Sequence, residues 1–371
     1  MKKTIQILAY ILLFAWINIP LFLTAQTTVT TYEPGISTEG VVYFLPQTAI
    51  DITVSIEKVT YTPGDLCKYA DRYMRLTNIS DIAEEHYELK GAKIKCTGVA
   101  DKSKGFHIKF STKSIAPNVV LSNEGTLLAI NTEIASAEEA AQKIHTITGE
   151  EIDITPYLNE DMLAAGSKAK LAELVANEIY DIRDSKNALM RGESEYMPSD
   201  GAGLKLMVDN LQRQEDALMQ LFSGVTVREE LTQTIRFIPT GNTSRQIFAR
   251  FSRKLGLVDT DNLAGSPIYI DAKSLGTNAT VDGNETEGTE EMPAMNPTIS
   301  KKGHSYDGVV YNIPAKAIIK VYTSNNTFAE EKVSIAQFGS METLSSKLFS
   351  SKTTTKVLLD PITGALVKIE E

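Results

Sequence analysis

The chain has 371 residues, with 37 Lys and Arg against 47 Asp and Glu and a formal net charge of −10. That acidic balance argues against binding nucleic acid by counterion release and against a polybasic grip on anionic lipid. The length suffices for a sizeable core, divided among two or three packed units.

The chain begins with Lys2 and Lys3 and an apolar run from Ile5 to Leu23, broken by Gln6, Asn18 and Pro20, with the small Ala25 before Gln26. This predicts an export signal over residues 1–25, cut between Ala25 and Gln26. The alternative is an uncleaved anchor, because the run approaches the ~20 residues that span a bilayer. No cysteine flanks the cut, which excludes a thioether-lipid anchor, and no second run approaches spanning length, so the mature chain is expected to have no transmembrane helix. The single tryptophan, Trp16, would leave with the signal, which weakens readings that need an indole platform.

Residues 26–39 read as an extended lead-in. The next segment, Gly40-Val41-Val42-Tyr43-Phe44-Leu45-Pro46, returns near the end of the chain as Gly308-Val309-Val310-Tyr311-Asn312-Ile313-Pro314. Such self-similarity at a fixed offset indicates one supersecondary unit built twice. After the first copy, Ile50, Ile52, Val54 and Ile56 alternate with Asp51, Thr53, Ser55 and Glu57, the period-2 pattern of a half-buried strand. The apolar phase flips to Val59 and Tyr61, which predicts a bulge or turn near Glu57-Lys58. A turn at Thr62–Asp65 leads into a short helix carrying Leu66, Tyr69, Ala70, Tyr73 and Met74. Strands are expected at 87–99, 105–111 and 119–130. Cys67 and Cys96, an even pair in an exported chain, predict a structural disulfide.

The middle of the chain differs. A short helix is expected at 135–145. Leu171, Val175, Ile179, Ile182 and Leu189 mark an amphipathic helix over 167–191, and Leu204, Val208, Leu211, Leu218 and Phe222 a second, ending at Gly224. Together they predict an antiparallel helical hairpin over 167–223. Strand-like segments follow at 225–239, 246–253 and 266–272. Residues 276–305, with Asp282, Glu285, Glu287, Glu290 and Glu291 among Gly, Thr, Asn and Pro, read as a flexible acidic loop. The second copy predicts a strand at 308–322, a short helix at 340–349 and a hairpin at 355–369. Its ending, Val357–Leu366, aligns with Val119–Leu127 once one gap is allowed. Lys320 falls where Ile52 is apolar, so the copies must differ in register or in neighbours.

The expected fold is therefore α+β and β-rich. An N-terminal module (40–134) and a related C-terminal module (306–371), each strand–helix–hairpin, flank a middle α+β region (135–275) with the helical hairpin.

The search for chemistry is mostly negative. His86, His107, His145 and His304 are scattered without metal-ligand spacing. Ser55-x-x-Lys58 and Ser167-x-x-Lys170 match the penicillin-recognising tetrad, but its companion elements are missing: Ser199-Asp200 is followed by Gly201, and there is no Lys-Thr-Gly. No nucleophile elbow, phosphate loop or dinucleotide fingerprint occurs. The densest acidic group is Asp259, Asp261 and Asn262, which reads either as a polar turn between strands or as carboxylates for glycoside hydrolysis. Glu193, Glu195 and Asp200 near the helical tip read as a solvated face.

The Val-Val-Tyr-x-x-Pro segment is one mark of a resemblance. The others are Leu204-Lys205-Leu206-Met207 and Arg213-Gln214-Glu215 on the helices, Phe251-Ser252 with Val258-Asp259, and Asp360-Pro361-x-Thr363-Gly364-Ala365-Leu366. Together they resemble a family of exported proteins from Bacteroides-type anaerobes, catalogued as domain of unknown function 4831. The resemblance covers nearly the whole mature chain and implies a Gram-negative periplasmic or surface setting, with no assigned activity, cofactor or site residue. The leading expectation is a non-enzymatic envelope protein acting in binding, assembly or scaffolding, without cofactor or metal, its partner an envelope protein or glycan. The alternative is a periplasmic or secreted hydrolase of glycans or peptides that uses carboxylates.

Overall fold

A computed structural model describes residues 27–35, 40–110, 118–134, 147–149, 151–194, 200–276, 305–306, 308–349 and 354–370. The signal and its Ala25–Gln26 cut, the helix at 135–145 and nearly all of the acidic loop lie outside the described residues.

In chain order the strands and helices are β1 (Thr28–Thr31), β2 (Val41–Thr62), α1 (Ala70–Met74), β3 (Glu84–Lys109), β4 (Val119–Leu121), β5 (Leu127–Ile130), β6 (Ile147–Thr148), α2 (Glu160–Leu163), α3 (Lys168–Arg191), α4 (Gly201–Ser223), β7 (Val225–Phe237), β8 (Thr243–Ser252), β9 (Gly256–Val258), β10 (Ser266–Ser274), β11 (Ser305–Tyr306), β12 (Gly308–Tyr322), β13 (Thr327–Ser345), β14 (Lys356–Leu359) and β15 (Leu366–Glu370). Short 3-10 turns at Cys67–Tyr69, Thr155–Tyr157 and Ser346–Leu348 complete the order. The fold is β-rich, in three antiparallel sheets: β11-β1-β3-β2-β7-β6, β13-β12-β10-β8-β9, and β15-β14-β5-β4.

The alternating apolar residues of β2 decide how the first two sheets pack. Ile50, Ile52 and Val54 meet Ile268, Ile270, Ala317, Ile319 and Val321 of the second sheet in a shared core. A second core joins Tyr43, Leu45, Phe106 and Ile108 to Val309, Val310 and Leu344 and to Leu127, Ile130, Val357 and Leu359 of the small sheet. A third lies among the helices. The two repeated segments thus sit side by side: the Tyr43 hydroxyl accepts from the Val310 amide at 2.9 Å and donates to the Val310 carbonyl at 3.3 Å. Burial pushes that hydroxyl far above the usual tyrosine range, partly offset by the bond to Val310, so it stays protonated.

Each repeat opens a long antiparallel hairpin, and the two share backbone devices. Gly40 and Gly308 have φ of 142° and 136°, and a Cβ at either would collide with the carbonyl of the strand opposite, Ile108 or Leu344. Between Phe44 and Leu45, one residue before Pro46, the pairing jumps from Phe44↔Gly105 to Leu45↔Asp101. At Ile313-Pro314 it jumps from Ile313↔Ser340 to Ala315↔Ile335. The second hairpin therefore bulges across Pro314, which has no ladder donor, and the first bulges just before the register position of Pro46.

The structure corrects several expectations. Residues 340–345 continue β13 as strand, and only Ser346–Leu348 form a 3-10 turn. The expected strands at 87–99 and 105–111 merge over their described part into one strand, β3, which ends at Lys109 and is irregular where it faces Phe44-Leu45. The bulge expected near Glu57-Lys58 lies between Ser55 and Ile56 in the pairing with β3, its extra residue being Lys90 of β3, while β2 pairs with β7 without a shift from Ile50 to Thr62. The apolar phase flips because the covered face changes. Beyond Ile56 the other face meets the helical region, where the Tyr61 hydroxyl donates to the Ser80 and Ser223 carbonyls at 2.9 and 3.2 Å.

The predicted disulfide is absent, and Cys67 and Cys96 are free thiols. Cys96 pairs with Ile50, whereas Cys67 lies just past Thr62. Ile50 and Thr62 are separated by about 40 Å of extended chain, far outside the reach of a bridge. Burial, with Glu331 and Asp51 nearby, pushes the Cys96 thiol above its usual range.

Candidate functional site

The helical hairpin is the described element least absorbed by the sheets. Ser167 caps α3, its hydroxyl accepting from the Lys170 amide at 3.2 Å, and the Asp200 carboxylate caps α4 through the Gly203 amide. Ser167-x-x-Lys170 is thus a helix start, and Asp200 serves a backbone amide. At the base, Val175, Ala176, Ile179, Leu218 and Phe222 close over Leu66, Ala70 and Met74. Here the hairpin is anchored, and the Tyr180 hydroxyl adds a bond to the Tyr73 carbonyl at 2.7 Å.

The outer half is different. Beyond Ile182 the only buried residue of α3 is Leu189, and no residue of α4 from Gly201 to Gln214 is buried. Leu204, Val208 and Leu211 are half-buried, while Met190, Leu206 and Met207 are 74%, 61% and 41% exposed. About 20 Å of two-helix arm therefore stands beyond the core, at 1.5 Å per residue.

An ion cluster marks where anchored base becomes free arm. Glu215 is buried, and its carboxylate accepts from Arg183 Nε at 2.6 Å and pairs with Lys186, which also bonds Gln212 at 2.6 Å. Burial pushes the Glu215 carboxyl up, but the bonds from Lys186 and Arg183 win and hold it below the usual carboxylate range. These pairs fix the antiparallel register of α3 against α4. Sequence reading missed their role, although Arg183 and Lys186 stand at (i, i+3) and so share one helix face. A shallow cleft of about 360 Å³ lies by the base, lined by Cys67, Lys68, Asp71, Leu76, Asn78 and Asp81 among others, with Lys68 and Asp81 paired at 3.8 Å. It is polar and open, and its one thiol has no histidine among the lining residues.

The acidic group forms an exposed turn between β9 and β10. The Asn262 amide donates to the Asp259 carbonyl at 3.1 Å, its side-chain oxygen accepts from the Ala264 amide at 3.0 Å, and Arg250 braces the loop through the Thr260 and Gly265 carbonyls at 2.8 and 2.9 Å. Asn262 is occupied with turn geometry, and Asp259 and Asp261 face solvent. His86 lies on β3 within 3.5 Å of Glu84 and Glu88, and His107 is buried where β3 pairs with β1 and β2. Ser55 and Lys58 stand on β2, where Lys58 pairs with Glu85 at 3.0 Å. Among the described residues, no group of three or more His, Cys, Asp or Glu is placed to hold a metal ion, and no helix is long and apolar enough to cross a membrane.

A family model described as a domain of unknown function (DUF4831) matches residues 39–367. No curated protein and no solved structure matches the chain.

Proposed function

The chain belongs to the DUF4831 family, and we propose that it is an exported cell-envelope protein that works by binding and assembly rather than by catalysis. The observation that carries this reading is the arm: some twenty ångströms of paired helix with almost no buried side chain, held at its base by a salt-bridge cluster and carrying exposed Met190, Leu206 and Met207. Exposed methionine and leucine on a projecting helix pair offer adaptable apolar contact to a partner. The basic start and apolar run of residues 1–25 support export, with cleavage at Ala25–Gln26. Under this reading the two long hairpins with their following β-turn units are one module built twice, and together they form the platform on which the arm stands.

The test is capture from envelope extract by the wild-type chain and by a Met190→Lys, Leu206→Lys, Met207→Lys variant. These side chains are exposed, so melting should be unchanged. The reading expects specific partners to be lost by the variant; an identical partner set would remove the arm as the interaction element.

A further inference from the structure

The small sheet carries an interface already made once inside the chain. Hairpins β4–β5 and β14–β15 agree in several backbone details. The Phe44 amide donates to the Gly125 carbonyl at 2.9 Å, and the Asn312 amide, at the same place in the second repeat, donates to the Gly364 carbonyl at 3.1 Å. Ser122 and Asp360 cap the two turns with their side chains, accepting from the Thr126 and Thr363 amides at 3.1 and 3.2 Å. The pairing slips at matching points, between Val120 and Leu121 and between Leu358 and Leu359. β15 is thus the counterpart of β5, and β14 that of β4.

The hairpins are not related face to face. The order β15-β14-β5-β4 places the first strand of one beside the second strand of the other, a head-to-tail contact made by Val357↔Ile130 and Leu358↔Ala129. Such an interface does not use itself up. β5 has neighbours on both sides, whereas among the described residues β15 has only β14 and β4 has only β5. β15 also exposes Val367 and Ile369, and an open edge with apolar side chains is a template for strand addition.

We propose that the free edge of β15 receives the free edge of β4 from a second copy, repeating between chains the β5–β14 contact within one, so that the protein assembles head to tail. By the internal register, Ile369 would face Val119 of the second copy and Lys368 its Val120. This inference rests on the hairpin units being one module built twice and is independent of the arm. It is read by self-association, whereas the arm is read by capture of other proteins, so either can fail alone.

Light scattering on the intact chain over a wide concentration range should give a mean mass that rises with concentration. A Val367→Lys, Ile369→Lys variant should stay monomeric with an unchanged melting curve. In a Cys67→Ser, Cys96→Ser background, Val119→Cys with Ile369→Cys should give a ladder of oxidised multimers, and neither cysteine alone should do so. Within one chain the two sites lie on opposite edges of the four-stranded sheet, about 14 Å apart, beyond disulfide reach. A mass independent of concentration would overturn the proposal, as would association undiminished in the lysine variant. A cross-linked dimer from Ile369→Cys alone would show two β15 edges pairing instead, and would overturn it equally.

Discussion

The hairpins β2–β3 and β12–β13 share a backbone plan and differ in which face they bury. Both start on a positive-φ glycine, both jump register at or just before a proline, and both send an amide to a turn glycine. Yet after the proline β2 buries Ile50, Ile52 and Val54, while β12 buries Ala315, Ala317, Ile319 and Val321, the opposite phase relative to the shared segment. The divergence is plainest at Tyr43, which is buried and bonded to Val310, whereas Tyr311 is half-buried and donates to Glu342 at 3.1 Å. Backbone devices are kept where the ladder demands them, and side chains follow the layer each face meets.

The sharpest test of the common plan is Gly308→Ala. Positive φ and collision with the Leu344 carbonyl should cost about 3 kcal/mol or more, and Gly40→Ala somewhat less, because part of its contact is with the movable end of His107. Urea melts that left Gly308→Ala at wild-type stability would break the equivalence of the two hairpin starts. Next in size is Asn312→Ala. This buried amide donates to the Pro46 and Thr363 carbonyls at 2.9 and 2.8 Å, stitching both repeats to the last turn. Two orphaned buried acceptors should cost about 2–3 kcal/mol, more than Phe44→Leu at the half-buried matching position. Tyr43→Phe, which strips the partner from Val310, should cost about 1–2 kcal/mol, against about 0.5 or less for Tyr311→Phe. Equal losses would mean that the two tyrosines are not in different environments.

The smallest effect is set by pH. Asp51 is held below the usual carboxylate range, first by hydrogen bonds from Arg236, at 2.7 and 3.0 Å, with Thr97 adding another. Because its folded pKa is depressed, the stabilisation is present above the unfolded value near 4 and is lost as pH falls through the folded one. The matching position of β12 is Ile319, which cannot titrate. Hydrogen exchange below about pH 4 should therefore loosen the β2–β7 pairing before β12–β10, and Asp51→Asn should flatten that difference. Equal loosening of both pairings would place the acid sensitivity elsewhere.

Much of the fold was legible in local pattern. Strict alternation located β2, the repeated segment gave β12 its start, and apolar residues at helical spacing defined α3 and α4. The apolar spacing of residues 340–345 suits a helix, while the register with β12 imposes strand to Ser345. The disulfide failed because parity of cysteines says nothing of distance along a strand some 70 Å long. At the candidate site, Leu206 and Met207 could be placed on a helix, but their exposure depends on how far the hairpin outruns its base.

The amino-acid pattern alone determined period, turns and duplication, because glycine, proline and apolar spacing act through neighbouring backbone atoms. Only the tertiary structure decided that β7 pairs with β2, that Glu215 meets Arg183 and Lys186, and that among the described residues β5 has a strand on both sides while β15 has one on a single side. Those outcomes depend on which distant surfaces meet, and contacts between residues far apart in the chain leave no trace in local periodicity.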